Sequence, residues 1–304
     1  MYHQPVLLKE SIAGLNIDPK GIYVDATYGG GGHTKLIIEH LTEGKIIAFD
    51  QDKEAEDNVI QDDRLIFIRH NFKFMKNFLK YLGYTNIDGI LADLGVSSHH
   101  LNKPERGFSY RFENAPLDMR MNQNTNLTAQ YVINHYQAKQ LHEIFRNYGE
   151  IRKTFPLVEA IINHRNNRKI QTTDELIKAI EPLLPSQTRN KFLSRVFQAL
   201  RIEVNKEMDN LKFFLKQSME MLKPGGRICV ISYHSLEDKL VKNFLKTGNF
   251  EGEVKKDFYG NAYSPFKLIN KKIISPGKEE IKNNRRARSA RLRIAEKKEQ
   301  NDER

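Results

Sequence analysis

The sequence predicts an α/β fold, a doubly wound parallel sheet interrupted by an all-helical insertion, on three observations. An apolar strand runs into four consecutive glycines in Tyr23-Val24-Asp25-Ala26-Thr27-Tyr28-Gly29-Gly30-Gly31-Gly32-His33-Thr34, and a helix begins near Thr34. Two more apolar strands, Lys45 to Asp50 and Ile87 to Asp93, each end in an acid. Asp93 and the glycine pair of the next strand, at Gly226, stand 133 positions apart, where a single crossover of roughly 30 residues would do.

Glycine reaches positive φ without steric cost and lets backbone N–H groups approach a ligand, so the run reads as a turn that binds a nucleotide-like molecule. A merely flexible turn is the alternative. Asp50 sits at the carboxyl end of its strand, where open α/β sheets bind ligands, and is placed to meet a ribose. A dinucleotide fingerprint would share that acid but needs G-x-G-x-x-G, and Thr34 or Lys35 stands where the last glycine belongs. An adenosine ligand without phosphate, S-adenosylmethionine, fits better than a pyrophosphate. The stretch Met221-Leu222-Lys223-Pro224-Gly225-Gly226-Arg227-Ile228-Cys229-Val230-Ile231-Ser232 then reads as a helix end, a turn and a strand, in the manner of the fifth-strand entry of class I methyltransferases.

Composition narrows the class. With 304 residues, 39% hydrophobic and 29% charged, the chain reads as an ordinary soluble protein able to bury one large core or two smaller ones. No apolar run approaches a membrane span and the N-terminus lacks a signal-peptide core, so a cytoplasmic address is expected. The single cysteine, Cys229, excludes a disulfide framework within the chain and is expected to be a buried thiol. The net charge of +11 is concentrated at the end: Lys267 to Arg304 holds thirteen Lys and Arg against six Asp and Glu. That excess favours a nucleic-acid partner over a solvated face. Within it, Arg288-Ser289-Ala290-Arg291-Leu292-Arg293-Ile294-Ala295 alternates with period two and reads as a half-buried strand presenting arginines.

The long insertion is patterned for helices. Leu141, Ile144, Phe145 and Tyr148 follow i, i+3, i+4, i+7 spacing, Val158, Ile161 and Ile162 mark a second helix, and Thr172 with Glu175 forms a capping-box pattern before Leu176, Ile177, Ile180 and Leu183. Pro182 and Pro185 close that helix. The expected division is a discontinuous catalytic domain from residues 1–104 and 206–304, and a helical substrate-binding domain over 105–205. A packing appendage is the alternative for the latter.

Six blocks in one order make the chain resemble the bacterial 16S rRNA cytosine-N4 methyltransferases, the ribosomal small subunit methyltransferase H or MraW family. They are Asp25 to His33; Asp93-Leu94-Gly95-Val96-Ser97-Ser98; Arg106-Gly107-Phe108-Ser109-Tyr110 with Leu117-Asp118-Met119-Arg120-Met121; Arg195 to Ile202; Tyr233-His234-Ser235-Leu236-Glu237-Asp238; and Arg286 to Arg293. The resemblance covers nearly the whole chain. It implies a class I Rossmann-like methyltransferase sheet with an inserted all-helical domain, S-adenosylmethionine as cofactor, and 16S rRNA of the small ribosomal subunit as partner. Carried over by motif, the cofactor contacts would be Gly31, Gly32 and His33 at the turn, Asp50 at the ribose, Phe72 near the adenine, and Asp93. The family's usual Pro-Gln-Leu-Asp is replaced by His99-His100-Leu101-Asn102, so His100 stands in for a glutamine used toward the cofactor. A neutral imidazole gives or takes one hydrogen bond at a given nitrogen, where the amide does both.

Cytosine N4 is a poor nucleophile because its lone pair is delocalised into the ring, and an acceptor for its N–H bonds localises that pair. Asp93 is the candidate; a contact with only the methionine part of the cofactor is its alternative. His234, after the fifth strand, is a second catalytic candidate, as proton acceptor or phosphate ligand, against a structural histidine. Tyr233, Phe108, Tyr110 and Phe112 are candidates to stack on an extruded base, against core packing. Phe72 and His33 carry packing alternatives too. The pair His99-His100 does not signal a metal, since adjacent side chains diverge and no partner lies at ligand spacing, so none is expected. A non-catalytic rRNA-binding or assembly factor, and an amino-methyltransferase acting on DNA or a small molecule, are the rival functions. The sequence leaves monomer and homodimer both open.

Overall fold

A computed structural model describes residues 5–254, 256, 260 and 264–299. The chain forms two compact units, Met1–Gly95 with Met208–Arg304, and Val96–Glu207. In chain order the helices are α1 (Leu8–Leu15), α2 (Gly32–His40), α3 (Met75–Tyr81), α4 (Ser98–Asn102), α5 (Ala129–His135), α6 (Ala138–Asn147), α7 (Thr154–Asn167), α8 (Thr173–Ile180), α9 (Arg189–Asn205), α10 (Glu207–Met221), α11 (Ser235–Thr247) and α12 (Lys278–Asn283). The strands are β1 (Ile22–Asp25), β2 (Lys45–Asp50), β3 (Leu65–Arg69), β4 (Ile87–Asp93), β5 (Leu222–Ser232), β6 (Phe266–Leu268) and β7 (Arg291–Lys297). Among the described residues no helix is long and apolar enough to cross a membrane.

The first unit is a seven-stranded sheet in the order β3-β2-β1-β4-β5-β7-β6. β1 to β5 are parallel, and β7 inserts antiparallel to both β5 and β6. Strand side chains alternate between two cores, as a sheet covered on both faces requires. Tyr23, Ile46, Leu91, Cys229, Ile231, Leu292 and Ile294 join Ile12, Leu15 and Ile37 of α1 and α2. Val24, Ile47, Ile90, Ile228 and Val230 join Met75 and Leu79 of α3, Leu211, Phe214 and Leu215 of α10 and Val241 and Phe244 of α11. Cys229 is a buried free thiol, and burial raises its pKa.

The expected Pro-Gly-Gly turn lies inside β5 as a bulge. The pairing with β4 jumps from Ile87↔Leu222 to Gly89↔Arg227, and Gly225 takes φ 77° to make the detour.

The second unit gathers its helices around one core that includes Val132, Leu141, Phe145, Val158, Ile161, Leu176, Ile180, Val196 and Leu200. The capping box at α8 is formed: Thr172 Oγ1 accepts from Glu175 N at 3.3 Å, and Glu175 Oε2 accepts from Thr172 N at 3.3 Å. Arg106 is buried and donates through Nη2 to the carbonyls of Arg120 and Met121 at 3.0 and 3.1 Å. Asn205 closes the same knot, accepting from Met121 N and donating to the Met119 carbonyl, both at 2.8 Å. Blocks far apart in sequence are thus stitched through backbone groups that would otherwise be buried without partners.

Candidate active site

The parallel register aligns the carboxyl ends of β1, β2, β4 and β5. Asp25 pairs with Ala48 on one side and Leu91 on the other, and Asp93 pairs with Ile231. This brings Asp25, Asp50 and Asp93 to one rim of the sheet, where open α/β sheets take their ligands.

The glycine run forms the turn from β1 into α2. Gly29 and Gly31 have φ of 54° and 74°, and Gly31 caps α2, which therefore starts at Gly32, two residues ahead of expectation. A Cβ on Gly31 would lie 2.5 Å from Tyr28 Oη, and one on Gly32 would lie 2.8 Å from Pro5. At Gly29 it would meet only the Thr27 carbonyl at 4.0 Å, so the backbone there faces open space. Two acids brace the turn. Asp25 accepts from Thr27 N at 3.0 Å and from Thr34 Oγ1 at 2.7 Å, tying β1 to the first turn of α2. Asp50 accepts from Gly29 N at 2.8 Å through Oδ2 and from Asp52 N at 2.8 Å through Oδ1. Burial pushes the Asp25 carboxyl up to about 6, against the downward pull of its hydrogen bonds from Thr34 and Thr27.

Asp93 is held from both ends. Its N–H donates to Thr27 Oγ1 at 2.6 Å, and its Oδ1 accepts from Tyr233 Oη at 2.7 Å. Burial lifts its carboxyl to about 6; His33 and the Tyr233 hydroxyl pull down, while Asp25 and Glu237 push further up. A carboxylic acid with that value changes charge just below neutrality.

The remaining expected residues have definite positions. His33 is buried and donates from Nε2 to the Val6 carbonyl at 3.1 Å. Phe72 meets Phe214 edge to face with ring centroids 5.2 Å apart and packs on the α3 and α10 core. His234 caps α11: its Nδ1 accepts from Glu237 N at 3.4 Å, while Glu237 Oε2 accepts from Tyr233 N at 2.9 Å and His234 N at 3.4 Å. With Nδ1 accepting, the neutral ring carries its proton on Nε2, which stands 3.2 Å from Glu237 Oε1.

In the helical unit His100 is 8% exposed, with Nδ1 3.1 Å from Ser97 Oγ and its ring tilted against Phe108 at 5.0 Å. Phe108 is core, and Tyr110 packs against Phe197 and bonds to Ser194 and the Asn190 carbonyl. Packing accounts for both aromatics, and Tyr233 is engaged with Asp93 rather than left as a stacking platform.

β7 keeps the expected half-buried alternation over Arg291 to Ile294, but its arginines are engaged within the protein. The strand is interior, and Arg293 donates to both oxygens of Asp238 at 2.7 and 3.1 Å while Arg291 donates to Oδ2 at 3.1 Å. Asp238 would be raised by its burial, yet the two guanidinium groups hold it below the ordinary carboxylate range. Sequence reasoning missed this pairing, and it did not single out Asp25 or Glu237. The available signal for Asp25 was the same one that selected Asp50, an acid on the last residue of a strand.

A sequence model of the MraW methylase family matches residues 1–298. The chain belongs to the MraW methylase family. It is 56% identical over 297 residues to "Ribosomal RNA small subunit methyltransferase H" of Flavobacterium johnsoniae, covering 97% of this chain and 98% of the relative. The namesake proteins of Bacteroides thetaiotaomicron and Flavobacterium psychrophilum are 52% and 53% identical, covering 98% and 96% of this chain and 98% and 100% of theirs. Family members thus run the length of both units, sheet and helical insertion together.

Proposed function

We propose that this chain transfers a methyl group from S-adenosylmethionine to the N4 amine of a cytidine in 16S rRNA of the small ribosomal subunit. The observation that carries the reading is the near full-length likeness to relatives named as small-subunit ribosomal RNA methyltransferases. The rim fits an adenosyl ligand, because open space lies before the Gly29 backbone and Asp50 stands at the end of the adjacent strand. Gly31, Gly32 and His33 would line the ligand at the turn, Asp50 would receive the ribose hydroxyls, and Phe72 would border the adenine. The cofactor supplies an electrophilic methyl group on a sulfonium.

Asp93 supplies the acceptor. Tyr233 occupies Oδ1, which leaves Oδ2 to take an N–H bond from the exocyclic amine and localise its lone pair. A carboxyl that ionises at about 6 is charged at neutral pH and basic enough to take the proton the methylated amine must lose. Holding amine and methyl in line supplies much of the rate, since alignment lowers such barriers by about 7 to 11 kcal/mol. His234 is assigned to capping α11 and His100 to holding the loop at Ser97, rather than to the chemistry. An rRNA substrate puts the protein in the cytoplasm.

Incubation with methyl-labelled cofactor and, separately, small ribosomal subunits, free 16S rRNA, DNA and a metabolite extract tests the reading. Label on the N4 of one rRNA cytidine is expected. Label confined to DNA or metabolites would move the chain to a different amino-methyltransferase, and cofactor binding without transfer would make it an assembly factor.

A further inference from the structure

In the helical unit, the connection from α6 to α7 and one face of α9 border a half-open concavity of about 510 Å³ lined by Glu150, Ile151, Arg152, Lys153, Phe192 and Arg195. The concavity is built into the fold. Ile151 N donates to the Phe145 carbonyl at 3.1 Å, and Gln198 Nε2 of α9 donates to the Tyr148 carbonyl at 2.8 Å. Gly149 permits the approach, since a Cβ there would stand 2.7 Å from the Phe145 carbonyl and 3.0 Å from the Arg195 carbonyl.

The lining has two characters. Ile151 is buried and Phe192 half-buried against the core, giving an apolar surface with one aromatic ring. Arg152, Lys153 and Arg195 are exposed, and among the described residues their side chains make no hydrogen bond or ion pair. Glu150 is the one acid of the lining, so three cations face a single carboxylate and the hollow keeps a net positive charge that an anion would offset. Two residues beyond Lys153, Phe155 leaves 75% of its surface exposed. Cations that track a backbone, beside aromatic faces that take bases, are the pattern of single-stranded nucleic-acid binding. The volume falls within the range of ligand pockets, roughly 300 to 1,000 Å³.

We propose that this concavity is a subsite for a single-stranded RNA segment, with a base or ribose against Ile151 and Phe192 and its phosphates on Arg152, Lys153 and Arg195. It rests on the reading of the chain as an rRNA methyltransferase. A phosphodiester strand is favoured over an acidic peptide because it offers both the charge for the arginines and a flat apolar face for the ring.

The test uses the full chain and a short unstructured oligoribonucleotide, with affinity measured against salt. Arg152→Gln/Arg195→Gln should lower the slope of log affinity on log salt by about 1.4, at about 0.7 per phosphate contact on a single strand. Lys139→Gln/Lys169→Gln removes the same charge from exposed residues outside the concavity and should leave the slope unchanged. Phe192→Leu keeps the apolar bulk and should weaken binding about five-fold or more at constant slope. Equal slope changes in the two pairs, or Arg-dependent binding of oligoglutamate but not of RNA, would overturn the subsite. Wild-type chain that methylates small subunits, with pocket variants matching it in KM and salt slope, would overturn the subsite and leave the methyltransferase reading standing. Absence of RNA methylation by the wild type would defeat that reading instead, and the salt slopes would still decide the subsite.

Discussion

Arg291 and Arg293 of β7 and Arg152 and Arg195 of the helical unit are the same residue type with opposite fates. The β7 arginines share one acid of a neighbouring helix, Asp238, which offsets one of their two charges within the protein. The helical-unit arginines stand around a hollow with no such bond among the described residues. A charge total therefore cannot identify a nucleic-acid surface. What matters is which cations the fold has left without an internal acid, and the basic C-terminal stretch holds both kinds: Arg291 and Arg293 share Asp238, while Arg285 and Arg288 are exposed.

Acids divide the molecule in a related way. Desolvation at the rim of the sheet unit raises both the buried Asp25 and the half-buried Asp93 to about 6, whereas Asp238 is drawn down by two arginines. The contrast is sharpest at Asp93. Asp93→Asn should cut methyl transfer by about a hundred-fold or more while leaving oligoribonucleotide affinity at the helical unit unchanged. In the wild type the rate should fall as pH drops through about 6, because a protonated carboxyl no longer accepts from the amine. A variant that keeps half the wild-type rate would remove Asp93 from the chemistry.

Stability should follow pH in the sense set by Asp25. Its pKa is about 6 folded, against 3.8 for the free group. The folded state therefore holds the proton more tightly, and the resulting stabilisation is full below the unfolded value and lost as pH rises through about 6. Urea titrations should show Asp25 adding about 3 kcal/mol on going from pH 7 to below pH 4, and Asp25→Asn should flatten that rise. An equal rise in the variant would assign it to other groups.

Arg293→Gln offers the smallest of these effects and the most direct comparison of the two arginine sets. Leaving the largely buried Asp238 short of its main partner should cost about 1 to 3 kcal/mol of stability, with no change in the salt slope for RNA. A lower slope with unchanged stability would show that β7, rather than the α6–α7 hollow, meets the phosphates.

Much of this molecule was legible beforehand where one local rule decided the outcome. The glycine run required positive φ and obtained it at Gly29 and Gly31. The strand-end acids followed from apolar runs that each close on an acid, and Thr172 with Glu175 followed from cap spacing. Roles that depend on a distant partner were not legible. Tyr233 lies 140 residues from Asp93 yet bonds to it, and Phe108 and Tyr110 look like stacking candidates until the helical core encloses one and engages the other. The bulge at Lys223 to Gly226 reads as a turn because a turn and a bulge share their glycine requirement.

The sequence by itself determined the alternation of strands and helices, the glycine turn with its neighbouring acids, the helical character of the insertion and the family to which the chain belongs. These rest on interactions within a few residues or on patterns repeated along one element. Only the tertiary structure decided which charges are satisfied. It paired Arg291 and Arg293 with Asp238, set Tyr233 on Asp93, raised Asp25 and Asp93 by desolvating them, and left Arg152, Lys153 and Arg195 with Glu150 around an open hollow. The reason is physical. The free energy of a charge depends on the atoms and water around it in space, and neither is specified by its neighbours in sequence.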